Sequence, residues 1–122
     1  LGMTPLVEAH SRLEVFRALD AGADLIGVNA RNLKDLSVSR RAVEEVLDAI
    51  PADVVAVAES GVRDGRDVRA YGLAGADAVL VGEALVTAGS PAERIPEIVS
   101  AGSHPSLATE RKRRVDRASE ED

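Results

Sequence analysis

The sequence predicts an α/β chain of four successive βα units around a parallel sheet, and three observations carry that reading. Short runs rich in valine, above all Val54-Val55-Ala56-Val57-Ala58 and Ala78-Val79-Leu80-Val81, proceed without alternation, as strands covered on both faces do. Each pair of strands is separated by room for one helix, marked by caps and a 3.6-residue apolar period. Finally, Ala21-Gly22-Ala23-Asp24 before the second strand returns as Ala74-Gly75-Ala76-Asp77 before the fourth. Each copy reads as helix end, glycine cap, acidic turn and buried strand.

Taken in order, Thr4–Ala9 reads as a short strand, with Pro5 tolerable at its start and Glu8 near its C-terminal end. Ser11 and Glu14 have capping-box spacing and open a helix whose Leu13, Phe16 and Leu19 recur on one side, closed by Gly22. Leu25–Val28 is the second strand, ending at Asn29. Residues 30–38 form a polar loop with Arg31, Asn32 and Lys34. Ser39 caps a helix with the cleanest apolar stripe of the chain, Ala42, Val43, Val46, Leu47 and Ile50, stopped by Pro51. After the central strand at 54–58, Asp64 caps a helix over residues 66–74 with Val68 and Tyr71 inward and Gly75 as terminator. The strand at 78–81 leads to Gly82 and a short helical turn at 83–87. Ser90-Pro91-Ala92-Glu93 then opens a last helix, interrupted by Pro96 and ending near Gly102.

The composition narrows the function. At 122 residues there is room for one domain, residues 1–102, followed by a charged tail at 103–122 that reads as disordered. A net charge of −6 argues against a nucleic-acid surface, so an anionic ligand would need local attraction from arginines, N–H groups and helix N-termini. No stretch approaches the roughly 18 apolar residues of a membrane span, and no leader precedes the first strand. The absence of cysteine excludes disulfides and thiolate chemistry and fits a reducing, cytoplasmic setting. The only aromatics are Phe16 and Tyr71, too few for an aromatic wall around a flat ligand. The chain opens on Leu1-Gly2-Met3 in what reads as a loop, so it is expected to begin partway through a longer protein.

Parallel strands send their C-terminal ends to one rim, where α/β enzymes place working residues. Glu8, Asn29, Glu59-Ser60-Gly61 and Gly82-Glu83 would therefore gather in space. Two carboxylates and an amide beside two glycine turns point to acid–base chemistry on a phosphorylated substrate. Glu8 and Glu59 would move protons, and N–H groups around Gly61, Gly82 and Glu83 would hold phosphate. Taken singly, each has a plainer reading: a solvated glutamate, a turn glycine, a loop-capping asparagine. The coincidence at four successive strand ends lifts the set above these. His10 and His104 have no partner at metal or triad spacing and read as structural. Four βα units make half of an eightfold barrel, while a four-stranded doubly wound sheet would close the same mass alone.

The segments Pro5-Leu6-Val7-Glu8, Ile26-Gly27-Val28-Asn29-Ala30-Arg31-Asn32-Leu33, Val57-Ala58-Glu59-Ser60-Gly61-Val62 and the run from Gly75 to Glu83 together resemble the C-terminal half of indole-3-glycerol-phosphate synthase, over about residues 1–101. The resemblance implies a (β/α)8 TIM barrel of which only the C-terminal (β/α)4 half, strands five to eight, is present here. It implies a carboxy-lyase of tryptophan biosynthesis. The reaction closes the indole ring of 1-(2-carboxyphenylamino)-1-deoxyribulose 5-phosphate with loss of carbon dioxide and water, using no metal or organic cofactor. By the same resemblance Glu8 is the acid–base glutamate, and Asn29 and Glu59 orient the reacting part. Arg31 meets the anthranilate carboxylate and Ser60 the hydroxyls, while Gly61, Gly82 and Glu83 bind phosphate. The family's catalytic lysines come from its N-terminal half, and Lys34 and Lys112 do not replace them. The chain alone is thus expected to be nearly inactive, and to self-associate or pair with the missing half. The competing expectations are another phosphate-binding barrel, such as one using flavin mononucleotide, and a non-catalytic half-barrel that assembles through its edges.

Overall fold

The chain, seen in a computed structural model, is described at residues 2–30, 39–82, 91–105, 107 and 120. Strands β1 (Val7–Ala9), β2 (Leu25–Val28), β3 (Val55–Ala58) and β4 (Ala78–Val79) form one sheet in sequential order, each neighbour parallel. Helices α1 (Arg12–Asp20), α2 (Arg40–Asp48) and α3 (Gly65–Ala74) make the crossovers, and α4 (Pro91–Gly102) follows β4. A doubly wound sheet would reverse its strand order and cover both faces. Here the order never reverses and the described helices pack on one face only.

The caps form where the sequence places them. Ser11 Oγ accepts from Glu14 N–H at 3.2 Å and Ser39 Oγ from Ala42 N–H at 3.4 Å, while the Asp64 carboxylate accepts from the N–H groups of Arg66 and Asp67. Only half of the capping box at Ser11 forms, because the Glu14 carboxylate turns to His10 Nδ1 at 3.0 Å. The repeated Ala-Gly-Ala-Asp closes both helices alike. Gly22 and Gly75 adopt positive φ, and the next residue's N–H reaches back to the last helical turn, Ala23 to Ala18 and Ala76 to Tyr71. The second aspartate adds a tie of its own, its carboxylate accepting from Ala56 N–H at 2.9 Å.

The helix-facing side of the sheet is a dry core. Ala9, Ile26, Val28, Ala56 and Ala58 are fully buried against Val15 of α1, Val43 and Leu47 of α2, and Val68 and Tyr71 of α3. The opposite face is bare of described helices. Val55 and Leu80 remain 42% and 52% exposed there, while Val57 on the same face is 7% exposed, so the expectation of a central strand covered on both faces fails at Val55. Valine-rich strands without alternation suit a two-sided core, and the described residues supply only one side of it.

The edges differ from expectation for a related reason. β1 and β4 are shorter than 4–9 and 78–81 because each has a ladder partner on one side only, though Leu80 N–H still reaches Ala58 O at 2.9 Å. On α1 the inward residues are Val15 and Ala18, with Leu19 half-buried, while Leu13 and Phe16 are exposed. The loop at 31–38 and the stretch at 83–90, with the expected turn at 83–87, fall outside the described residues.

Candidate functional site

The parallel ladder sets the site. Glu8, Gly27, Val57 and Ala78 are consecutive partners across β1 to β4 and therefore share the bare face. Two residues further along, on the same face, come Asn29 after β2 and Glu59 after β3, held in register by Asn29 N–H to Ala9 O (3.0 Å) and Glu59 N–H to Val28 O (2.9 Å). The three residues expected to carry chemistry thus converge at the C-terminal mouth of the sheet.

The Glu59 side chain folds back across β2. A Cβ built on Gly27 would fall onto Glu59 Oε1 and within 2.5 Å of its Cδ, so the carboxylate occupies the space that the missing side chain leaves. Gly27 pairs with Glu8 in register, which brings the second carboxylate alongside. Burial first, and then the Glu8 carboxyl beside it, push Glu59 up to about 7, with His10 working weakly against them. At neutral pH the pair therefore holds a proton that an isolated glutamate would have lost. A carboxyl that is half protonated near pH 7 beside a second carboxylate is equipped to give and take protons.

Several buried polar groups lack partners. Among the described residues, four buried side-chain atoms have no hydrogen bond: Asn29 Oδ1, Glu59 Oε2, Ser60 Oγ and Tyr71 Oη. Three of the four belong to the strand-end set. Buried polar atoms are normally satisfied, and clustered exceptions mark places where a ligand completes the bonding. Tyr71, by contrast, sits in the core between sheet and helices.

At the glycine end, Gly61 adopts φ +81°, a turn that glycine makes without strain, and a Cβ on Gly82 would meet nothing within 4 Å, so backbone is open to approach at Gly82. The start of α3 is less available. It begins at Gly65, whose N–H faces Glu97 at 3.5 Å, and the Asp64 carboxylate takes the next two. An anion at Gly61 would meet the loop's N–H groups rather than those of the helix. Arg31 and Glu83 lie outside the described residues. No group of three His, Cys, Asp or Glu that would hold a metal occurs among the described residues, and no described helix is long and apolar enough to cross a membrane.

Sequence reasoning missed one residue. Gly27 reads in the sequence as part of the strand Leu-Ile-Gly-Val, although a glycine inside a strand is itself a sign of close approach. His10, read as structural, makes exposed contacts, its Nε2 3.9 Å from Glu8 Oε2 and its Nδ1 3.0 Å from Glu14 Oε1. The spacing of two along an extended chain puts Glu8 and His10 on one side.

Comparison with known proteins shows the family. The family model for indole-3-glycerol phosphate synthase matches residues 1–98. The indole-3-glycerol phosphate synthase of Streptomyces griseus is 59% identical over 107 residues, covering 88% of this chain and 40% of that protein. Synthase 1 of Streptomyces coelicolor is 58% identical with the same coverage, and the Rhodococcus jostii synthase is 55% identical over 87% of this chain and 39% of its own. The chain thus spans about 40% of the length of the curated relatives it matches. Among solved structures, the BexX/CysO complex of Amycolatopsis orientalis aligns with TM-score 0.66 and 26% identity over 83% of this chain and 42% of that one. A mandelate oxidase variant aligns at TM-score 0.60 and 22% identity over 91% and 38%, a likeness of fold alone.

Proposed function

Because the chain belongs to the indole-3-glycerol phosphate synthase family, we propose that it forms the Glu8-bearing, phosphate-holding half of a (β/α)8 barrel with that activity. In this reading Glu8 and Glu59 manage protons during the decarboxylating, dehydrating closure of the indole ring. Asn29 and Ser60 hold the substrate's oxygens, and the turn at Gly61 and the open backbone at Gly82 receive its phosphate. Arg31 meets the anthranilate carboxylate and Glu83 adds to the phosphate end. The observation that carries the reading is the set of orphaned polar atoms on Asn29, Glu59 and Ser60 at the strand ends, together with the Glu8–Glu59 carboxyl pair.

The bare sheet face and the free edges of β1 and β4 define the partner. Further βα units of the kind the longer relatives possess would pair with both edges and cover Val55 and Leu80. A second copy of this chain is the alternative occupant. The compartment that suits such a cysteine-free biosynthetic unit is the cytoplasm. The flavin-dependent reading has only fold likeness behind it.

The test is an assay of indole-3-glycerol phosphate formation by this chain alone and by a chimera. The chimera places residues 1–101 behind the N-terminal portion of the Streptomyces griseus relative. Turnover by the chimera and none by the chain alone is expected. A folded chimera without turnover, or full turnover by the chain alone, would overturn the proposal.

A further inference from the structure

One residue of the site has no chemistry of its own. Gly27 lies in the middle of β2, flanked in register by Glu8 on β1 and Val57 on β3. It is buried and its backbone does not call for glycine, since the positive-φ glycines are Gly2, Gly22, Gly61 and Gly75. Inside a strand, glycine weakens the sheet and leaves nothing to pack. What it leaves here is a notch. The Glu59 side chain, rooted two residues further along and one strand over, drops its carboxylate into that notch, and the atoms a Cβ would meet are Glu59 Oε1, Cδ and Oε2. All three belong to the far end of one flexible side chain, with no backbone atom among them.

We propose that Gly27 is a positioning residue, whose absent side chain seats the Glu59 carboxylate against Glu8 and so keeps the two acids within proton-sharing reach. This rests on the reading of Glu8 and Glu59 as the acid–base pair, and it assigns the distance between them to a third residue. A methyl group at position 27 would leave the strand intact and evict the carboxylate. The eviction would restore solvent to Glu59, separate it from Glu8 and return its titration toward that of an ordinary glutamate.

The test is the Gly27→Ala variant of this chain, with the Glu59 side-chain carboxyl followed by carbon NMR from pH 4 to 9 and assigned by its loss in Glu59→Gln. The expected result is a folded variant with a fall of about one unit or more in the Glu59 titration midpoint, whose stability relative to the parent rises with pH through about 5–7. A folded variant in which Glu59 titrates as in the parent would overturn the proposal. If Gly27→Ala fails to fold, the double variant Gly27→Ala with Glu59→Asp decides, because the shorter acid withdraws from the added methyl. Folding of the double variant supports the notch, whereas its failure places the clash on the backbone and overturns it. In the chimera, Gly27→Ala should lower kcat by about tenfold or more with KM little changed, and should cost nothing further in a Glu59→Asp background. An equal loss in both backgrounds contradicts the proposal. Because the NMR midpoint does not depend on turnover, a shifted Glu59 in a chimera that never turns over would refute the synthase reading and leave the notch standing.

Discussion

Replacing Glu59 by glutamine should make the chain more stable at alkaline pH and leave it nearly unchanged in acid. Glu59 titrates at about 7 in the folded chain against 4.5 for an ordinary glutamate. Between these values the folded state holds a proton that the unfolded chain has released, so stability falls as pH rises. The favourable contribution is complete below about 4.5 and gone above about 7, where the ionised carboxylate is held in a partly dry site beside Glu8. The full shift corresponds to about 3 kcal/mol, and partial exposure of the side chain reduces the expected effect to about 1–2 kcal/mol. Glutamine keeps the shape and cannot ionise. Urea unfolding followed by far-UV circular dichroism, at half-unit steps from pH 4 to 9, should show the variant's advantage growing through pH 5–7 and levelling above. Other carboxylates, such as Asp64 and Asp67, whose hydrogen bonds hold them below the usual range, titrate in both proteins and cancel in the difference. Two curves that stay parallel across the whole range would refute the argument.

Further outcomes follow from the same structure. Asp67, 1% exposed, resists its own desolvation because Arg63 donates to both carboxylate oxygens and Arg40 lies at 3.5 Å. Asp67→Ala should cost roughly 2–3 kcal/mol in urea unfolding, at the low end for a broken buried pair because both arginines can return to water. Tyr71→Phe removes a buried hydroxyl that has no partner, so its stability should stay within about 1 kcal/mol of the parent or exceed it. Phe16→Ser on the exposed side of α1 should change stability by less than about 0.5 kcal/mol, whereas Val43→Ala in the dry core should cost about 1–3 kcal/mol.

Much of this was legible in the sequence because it depends on periodicities that survive without tertiary knowledge. Four short apolar runs, two of them valine-rich, with helix caps between them impose a parallel sheet, and a parallel sheet sends Glu8, Asn29 and Glu59 to one rim whatever their separation along the chain. The cap chemistry of Ser39, Asp64 and Gly75 is equally local. What could not be read is where two elements meet. The inward face of α1 is set by how the helix meets the sheet, so Val15 and Ala18 are buried while the more hydrophobic Leu13 and Phe16 stay exposed. The exposure of Val55 depends on what stands opposite the sheet, which no pattern within β3 encodes. The notch at Gly27 belongs to the same class, since a glycine in β2 acquires meaning only when a side chain from β3 lies across it. His10 was set aside for want of a spaced partner, although the extended backbone after β1 already put it beside Glu8.

The central claim is that Glu8 and Glu59 act together on a phosphorylated substrate at the mouth of this sheet. Its most direct test is the rate of indole-3-glycerol phosphate formation by the chimera bearing Glu8→Gln, Glu59→Gln or both. Each single change is predicted to lower kcat by about 10²–10⁴, and the double change by little more than the larger single loss, since the two acids share one task. Turnover undiminished by either substitution in a folded chimera would contradict the account.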